Sequence, residues 1–443
     1  MANALTRGSV FKSLISFSLP FMFSAFLQTL YGMADLFVVG KFNPAEVINA
    51  VSIGSQVMHM VTVMILGLSM GTAVLVGRSY GSGDTKKSSV IIGNSVSLFA
   101  FVSIVITIVL VLFCPQIVSL MQTPKEALLQ TKIYLLVCFS GIPFVIAYNV
   151  IASIFRGLGD SKHPMYFVIT SCFVNILLDF VFVGIFDMKA GGAALATVIS
   201  QGFSVLLSII FWKKINSELS ISKGELIPRK KVISSILKIG LPIACQDGFI
   251  QISFLVITII ANLRGVSIST AVGVVEKVIC FLFLVPSSML SAISALASQN
   301  IGAGEHKRAE KALWYGIMFS TSFGVFFTVV FQFISTEAVS IFTTDEKVIY
   351  FGTQYLKAYV IDCIFAAVHF CFSGFFCAYG YSMVSFIHNI ISIVLIRIPG
   401  AALASHFYPE TLYPMGLAAP AGSLLSAIIC VGVFAYLKRS KNL

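Results

Sequence analysis

Charged side chains are scarce in this sequence. Only 11% of its 443 residues are Asp, Glu, Lys or Arg, whereas 58% are hydrophobic, and the mean hydropathy is +0.96. An average soluble domain has about 25% charged residues, and it needs them to cover its surface. The composition therefore excludes an ordinary soluble enzyme and a disordered chain. It also speaks against a nucleic-acid partner, although the net charge is +11.

Signatures of cofactor chemistry are missing as well. The nine cysteines contain no C-x-x-C pair, and nearly all fall in apolar runs, which is typical of small buried side chains. The six histidines have no metal-ligand spacing, and there is no phosphate-binding loop. Gly67-Leu-Ser-Met-Gly71 fits a nucleophile motif, but it lies in an apolar helix without the required strand and turn, so it predicts helix packing. We expect no cofactor and no enzymatic activity.

Long apolar runs recur along the whole chain. A membrane-spanning helix needs about 20 apolar residues, and the runs lack the alternation of membrane-spanning strands. The sequence therefore predicts an all-α polytopic membrane protein. Its twelve predicted spans are residues 13–39, 46–76, 90–113, 126–155, 164–186, 191–212, 234–261, 268–297, 310–334, 348–376, 384–405 and 414–437.

The basic residues predict the orientation in the membrane. If the N-terminus is cytoplasmic, most of the 29 Lys and Arg residues lie on cytoplasmic loops, as the positive-inside rule requires. The few on the opposite side are Lys41, Lys125, Lys189, Arg264 and Lys347. We expect a multi-pass protein of the cell membrane with both termini in the cytoplasm. The N-terminal run has no small-residue cleavage site, so we interpret it as a helix of the mature protein rather than a signal peptide.

The chain contains an internal repeat at half its length. The stretch from Leu75 to Lys87 aligns with the stretch from Leu296 to Arg308, and Pro242 lies 222 residues after Pro20. Because each half has an even number of spans, six, both halves begin on the same side of the membrane. The two repeats are therefore parallel. We expect an N-lobe at 1–212, a basic linker at 213–233 and a C-lobe at 234–443, arranged around a central cleft as in many transporters.

Two carboxylates lie within predicted spans of the N-lobe. Asp35 is in the first span and Asp179 in the fifth, where Asn175 shares its helix face; Thr197 follows in the sixth. Buried ionisable groups are costly and mark function by default. An oxygen-only set suits Na⁺, and two nearby carboxylates can also share a proton. The alternative is that Asp179 is solvated at the outer mouth while Asn175 and Thr197 only join helices.

The C-lobe has its own intramembrane charges, for which an interhelical ion pair and a substrate contact both stay open. They are Asp247, Glu276, Asp362 and Arg397. Pro20 lies fifteen residues before Asp35 and removes a backbone hydrogen bond, so it predicts a bend that moves the Asp35 segment. We therefore treat Pro20 as a candidate hinge.

The chain resembles the MATE (multidrug and toxic compound extrusion) family over nearly its whole length. The motifs that carry the resemblance are Pro20, Asp35 before Gly40, Gly81-Ser-Gly-Asp84 with its repeat partner, Arg156-Gly-Leu-Gly-Asp160, and Asn175-x-x-x-Asp179 before Thr197. The resemblance implies a MATE-like fold and an N-lobe cation site at Asp35, Asn175, Asp179 and Thr197, with Tyr134 nearby. One branch of the family has a glutamate in the seventh span as part of a C-lobe cation site, and this sequence has Gln251 there, with Asp247 one turn earlier. This difference favours the DinF-like branch, in which the ion site lies in the N-lobe.

The leading hypothesis is a secondary antiporter that exports organic cationic or amphiphilic compounds by alternating access, driven by Na⁺ or H⁺ entry. We expect a monomer whose partners are a small-molecule substrate and membrane lipids. The main alternative is a flippase for a lipid-linked saccharide, although only four cations lie within the spans (Lys132, Lys277, Lys357 and Arg397). A passive channel with the carboxylates at a constriction is a third possibility.

Overall fold

The computed structural model describes residues 5–215 and 222–440, leaving aside the side chains of residues 214 and 215. Regular structure in these ranges is entirely helical. The α-helices of the first half are α1 (Val10–Phe42), α2 (Ala45–Gly81), α3 (Thr85–Leu112), α4 (Cys114–Leu120), α5 (Leu128–Ser140), α6 (Ile142–Gly157), α7 (Lys162–Asp179) and α8 (Lys189–Ile215).

The second half repeats this series. Its α-helices are α9 (Lys230–Asn262), α10 (Val266–Leu282), α11 (Leu284–Gly302), α12 (His306–Ser340), α13 (Glu346–Tyr359), α14 (Asp362–Ala378), α15 (Ser382–Ser392), α16 (Ile398–Phe407), α17 (Tyr413–Gly416) and α18 (Ala418–Arg439). A single 3-10 turn (Lys223–Glu225) precedes α9 within the described residues.

The helices match the predicted membrane spans. Ten segments of the described chain are long and apolar enough to cross a membrane, and two bent pairs raise the number to 12. The pairs are α5 with α6, bent by 47°, and α13 with α14, bent by 42°. Both lie at the fourth span of a half, and Pro143 in the first turn of α6 lacks the N–H that would continue α5. The predicted all-α fold with twelve spans is confirmed.

The chain divides into two compact units whose borders lie inside helices. One unit is Leu19–Gly240; the other combines Leu241 onward with the described residues up to Ser18. The borders therefore fall two residues before Pro20 in α1 and two residues before Pro242 in α9. The predicted lobes have their boundaries at the ends of membrane spans, whereas these two units are defined by which residues pack together. Residues 216–221 of the predicted linker lie outside the described residues.

In the first unit, α2 packs against α3, α5 and α6. The start of α9 joins this unit through small residues. The Cα of Gly71 on α2 faces the carbonyl oxygen of Ile236, and Gly240 faces the carbonyl oxygen of Leu68, so closely that a Cβ at either glycine would collide. Small residues permit such close backbone approach between membrane helices. The Gly67–Gly71 motif thus contributes to helix packing, as its spacing predicts.

In the second unit, α11, α12, α14 and α18 form the main core. The beginning of α1 belongs to it, because Leu14 and Phe17 are buried among Met289, Phe372 and Phe376. Asn300 and Arg308 also hold this segment, since the Asn300 amide donates to the carbonyl of Leu5 (3.1 Å) and Arg308 to that of Gly8 (2.9 Å). The described residues up to Ser18 are therefore an integral part of the later half.

Candidate cation-binding site

Four polar residues of the first unit come together where α1, α7 and α8 meet. Asp35 lies on α1 and is 3% exposed, while Asn175 and Asp179 on α7 are fully buried. Thr197 projects from α8. The structure therefore brings together the four residues that the sequence singled out, and it buries Asp179 rather than leaving it at a solvated mouth.

Hydrogen bonding in this cluster is incomplete. The Thr197 hydroxyl lies 3.5 Å from the Asp35 carboxylate and 3.1 Å from the carbonyl of Ala193. Asn175 and Asp179 lie beside the Asp35 carboxylate, close enough for weak hydrogen-bond interactions with it. Within the described residues, however, one Asp35 oxygen, both Asp179 oxygens and the whole Asn175 amide lack a well-formed hydrogen bond. Buried polar groups normally do have one, so these atoms are available to a ligand.

Asp179 stands at a change of helix type. It is the last residue of α7, and a π-helical segment, Phe180–Ile185, follows directly. The wider i→i+5 pattern is seen in the bond from the Phe186 N–H to the carbonyl of Val181 (3.0 Å). Such π turns are rare and are frequently found at functional sites. Composition and apolar periodicity did not predict this turn.

Tyr134 on α5 forms one wall of the cluster. It is 2% exposed, and its hydroxyl is 3.0 Å from that of Ser55 on α2. Its ring packs directly against the Cα of Gly54, where a Cβ would collide with it. Tyr134 is an electrostatic neighbour of Asp35 but forms no hydrogen bond with it in the described structure. It therefore shapes the site rather than filling it.

Tyr31 is a member of the site that the sequence analysis missed. It lies on α1 one turn before Asp35, and its hydroxyl interacts with Thr197 and with the Asp35 carboxylate. The i, i+4 spacing from Asp35 could have identified it, because residues four apart share a helix face.

A small polar cavity lies one helical turn away from the carboxylates, beside Tyr31. Its volume is about 20 Å³, which is enough for one water molecule. Side chains of α1, α6, α7 and α8 line it: Gln28, Tyr31, Tyr148, Val168, Ser171, Cys172, Gln201 and Ser204. Polar side chains between these helices are therefore not confined to the four clustered residues but also line the neighbouring cavity.

The donor atoms of the cluster match a hard monovalent cation. Carboxylate, amide and hydroxyl oxygens are the ligands that Na⁺ prefers, and the unpartnered oxygens belong to Asp35, Asn175 and Asp179. Two carboxylates buried this close together are strongly disfavoured when both are charged, so a cation or a proton stabilises the pair.

The second unit contains a different charged cluster. Arg397 is 8% exposed, donates a hydrogen bond to the Tyr359 hydroxyl (2.6 Å), and lies 4.6 Å from the centroid of the Phe254 ring. Asp362 and Glu276 interact with Arg397 electrostatically. Within the described residues, neither carboxylate forms an ion pair with Arg397 at 4.0 Å or less. Three of the candidate C-lobe residues are thus neighbours, joined by charge rather than by contact.

The remaining two C-lobe candidates lie apart from this cluster along α9. Asp247 is partly buried and interacts electrostatically with Cys377 on α14. Gln251, one turn further on, is also partly buried.

Known proteins resemble this chain over most of its length. The MatE family model matches residues 20–181 and 242–403. A protein named Probable multidrug resistance protein YpnP, from Bacillus subtilis (strain 168), is 28% identical over 416 residues, covering 94% of this chain and 93% of that protein. The Multidrug export protein MepA of Staphylococcus aureus (strain NCTC 8325 / PS 47) is 27% identical over 381 residues, covering 84% and 83%.

The fold has also been seen before. A crystal structure of MATE in complex with MaL6 has a TM-score of 0.91 to this structure at 21% identity, covering 99% of this chain and 98% of that one. Together with the sequence matches, this duplicated helical fold defines a polytopic membrane transporter and not an enzyme. The chain belongs to the MATE family, whose model covers most of it in two copies.

The two matched segments begin and end 222 residues apart, which allows the halves to be compared position by position. At this spacing, the residues that correspond to Asp35, Asn175, Asp179 and Thr197 are Ile257, Arg397, Ala401 and Ala419. At the spacing of 221 residues that aligns Leu75–Lys87 with Leu296–Arg308, they are Val256, Ile396, Gly400 and Ala418. Ile257, Ala401 and Ala419 are buried in one hydrophobic cluster of the second unit. The oxygen set of the first half therefore has no counterpart at these positions of the second half.

Proposed function

We propose that this protein is a secondary antiporter that exports organic compounds in exchange for Na⁺ or H⁺. The coupling ion binds at Asp35 and Asp179, with Asn175 and Thr197 as further ligands. The observation that carries the proposal is the buried pair of carboxylates with unpartnered oxygens. The names of the relatives YpnP and MepA support multidrug export as the transport activity.

Coupling requires the ion to bind one conformation better than another. Asp35 belongs to α1, whereas Asp179 and Thr197 belong to α7 and α8. A cation held by all three helices, or a proton shared between the carboxylates, favours the arrangement in which α1 is close to α7. Loss of the ion leaves two unneutralised buried charges, which repel each other and favour separation of α1 from α7.

Pro20 gives α1 the means to move. It lies within the helix, and the Ser24 hydroxyl donates to its carbonyl oxygen (2.8 Å). A proline inside a helix removes one backbone hydrogen bond and weakens the helix locally. Because the border between the packed units falls two residues earlier, the part of α1 that carries Asp35 can bend at Pro20 while the preceding part stays packed.

The substrates we propose are cationic or amphiphilic organic compounds of drug size. The protein acts as a monomer in the cell membrane, with both termini in the cytoplasm, as the distribution of Lys and Arg supports. We assign the ion site to the N-lobe, as in the DinF-like branch, since the corresponding positions of the C-lobe are apolar or occupied by Arg397.

Reconstituted vesicles test this function. Purified protein is placed in liposomes, and efflux of a fluorescent organic cation is measured under an imposed Na⁺ gradient and, separately, under an imposed H⁺ gradient. We expect one gradient to drive transport, and Asp35→Asn and Asp179→Asn to abolish that dependence. Full gradient-driven efflux by both variants would disprove the site.

A matched control removes a carboxylate elsewhere. Glu310 pairs with Lys438 at the protein surface (2.5 Å), so Glu310→Gln should transport normally. If transport is independent of both gradients, or single-channel currents are recorded, the protein is a channel. Movement of a lipid-linked saccharide without dye efflux would establish a flippase instead.

A further inference from the structure

The first unit carries an apolar groove that its transport site does not use. The groove has a volume of about 410 Å³ and runs between α3 and α8, with α6 as its floor. Val96 and Ala100 line it from α3, Ala147 and Ile151 from α6, and Val205 and Ile209 from α8. Its size is within the range of about 300–1,000 Å³ that is typical of sites for single small ligands.

The groove offers nothing polar along its length. Two hydroxyl groups line it, but that of Ser103 donates to the carbonyl of Ala100 (2.8 Å) and that of Ser208 to the carbonyl of Val205 (2.7 Å). Water in a cavity needs several polar partners, so a groove of this kind excludes it. Val96 and Ile209 are more than 40% exposed, which means that the groove is open along its side. A hydrocarbon chain is the ligand that such a surface accepts.

One end of the groove is basic and aromatic. Trp212 and Lys213 close it at the end of α8, and Lys213 is the only charged residue among its lining. Tryptophan is enriched at the boundary between hydrocarbon and headgroups. The distance along α8 from Val205 to Lys213 is about 12 Å at 1.5 Å per residue, and one leaflet contributes about 15 Å of hydrocarbon. The groove therefore has the length of one leaflet, with its cation at the headgroup level.

The segment before α9 adds positive charge at the same end. Its backbone docks on α3, where the Arg229 N–H donates to the Asn94 side chain (2.6 Å) and Asn94 donates to the Glu225 carbonyl (3.1 Å). Asn94 lies two residues after Ile92, so the segment docks at the same end of α3 as the groove but on the opposite face of that helix. Arg229 is followed directly by Lys230 and Lys231. Three basic residues against one Glu225 therefore leave a net positive charge at this end of α3, while Lys213 alone carries the charge inside the groove.

We propose that this groove binds one acyl chain of an anionic phospholipid, with the phosphate at Lys213. The apolar wall selects hydrocarbon, and the basic end selects a negative headgroup over a neutral one. A cationic transport substrate is disfavoured at this end, so the groove is a lipid site and not a second drug site.

The two tryptophans of the chain make the proposal testable. Trp212 lies in the groove, and Trp314 lies on α12 in the other unit, where it is 46% exposed. In the Trp314→Phe variant, the remaining Trp212 fluorescence reports on the groove alone. In the Trp212→Phe variant, the remaining Trp314 fluorescence reports on a surface outside the groove. Both are purified into nanodiscs of phosphatidylcholine, and quenching by phosphatidylglycerol or phosphatidylcholine brominated on the acyl chains is measured.

We expect Trp212 to be quenched by brominated phosphatidylglycerol at about one fifth of the concentration needed for brominated phosphatidylcholine, since one lysine near an anionic headgroup gives roughly that preference. Lys213→Gln should remove the preference, and Ala147→Phe should reduce quenching by both lipids because it fills the groove. Leu206→Phe, on α8 outside the lining, serves as the volume control and should change nothing.

Trp314 should be quenched equally by the two lipids, as expected of non-selective contact with bulk lipid. Equal quenching of Trp212 by both lipids would overturn the proposal, as would a preference that persists in Lys213→Gln. Displacement of the brominated lipid by tetraphenylphosphonium would also overturn it, because the groove would then accept an organic cation. Ala147→Phe is also made in the Trp212→Phe background, where an unchanged melting temperature and unchanged quenching of Trp314 show that the variant has folded.

Discussion

The ring of Tyr134 lies directly on the Cα of Gly54, so no side chain fits between α2 and α5 at this level. The contact places the Tyr134 hydroxyl beside that of Ser55 and within electrostatic range of Asp35. A glycine on α2 thus determines the position of one wall of the proposed cation site.

Gly54→Ala should therefore both destabilise the protein and weaken coupling. The new methyl group collides with the Tyr134 ring, and such overpacking typically costs about 1–3 kcal/mol of unfolding free energy. Thermal unfolding in detergent and gradient-driven efflux measure the two effects. Gly273→Ala on α10 is the matched control, since nothing lies within 4 Å of a Cβ built there. Equal behaviour of the two variants would show that the contact is unimportant.

Thr197 should contribute to ion affinity through its hydroxyl group. Thr197→Val keeps the shape of the side chain but removes the donor to Asp35, and one hydrogen bond contributes about 0.5–1.5 kcal/mol. We expect the concentration of coupling ion at half-maximal transport to rise about 2- to 13-fold for this energy. Thr197→Ser keeps the hydroxyl and should remain close to the parent. Similar ion dependence in both variants would contradict the role.

Pro20→Ala should stiffen α1. It restores the backbone N–H that proline lacks, and proline inside a helix costs about 3 kcal/mol. We expect higher thermal stability together with slower efflux, whereas ion binding to the purified protein should persist. Pro115→Ala is the control, because Pro115 is exposed in the first turn of α4, where proline is tolerated. Unchanged efflux in Pro20→Ala would mean that the bend is static.

Arg397 and Asp362 should depend on each other for stability. Removing one of two neighbouring buried charges leaves the other less well neutralised, which destabilises the folded protein. Arg397→Met and Asp362→Asn should each lower the unfolding free energy, and the double variant should lose less than the sum, with a coupling of about 0.5–3 kcal/mol. Chemical unfolding of the four proteins measures this.

The surface pair Lys438–Glu310 provides the comparison. Its side chains are 56% and 31% exposed, so Lys438→Met and Glu310→Gln should show a coupling of no more than about 1 kcal/mol. Additive effects at Arg397 and Asp362 would show that the two charges act independently, and the buried cluster would then not be a counter-ion arrangement.

Hydropathy and repeat spacing predicted the helical fold well, because a bilayer makes span length and charge sparsity strongly informative. Asp35 and Asp179 could be predicted for the same reason: a carboxylate within an apolar span is conspicuous. Hydropathy does not single out Tyr31, which only its i, i+4 spacing from Asp35 could have identified. Ser55 could not be singled out from the sequence, since serine is common in such helices and its importance depends on which helix faces meet.

Backbone features were also beyond the sequence patterns used. Neither the π turn after Asp179 nor the lateral groove beside Trp212 changes the apolar periodicity. The packing borders at Ser18 and Gly240 depend on contacts between residues far apart in the chain. The predicted lobe boundaries, drawn from membrane crossings, carry no information about such contacts.

The placement of the first residues has a consequence for biosynthesis. Leu14 and Phe17 are synthesised well before Phe372 and Phe376, with which they share one buried hydrophobic cluster. Domains generally fold as units during synthesis, with the N-terminal domain first. Leu19–Gly240 can follow that rule, whereas the start of α1 keeps its apolar face uncovered until α14 has been made. Truncation before α14 would therefore leave the start of α1 without its packing partners.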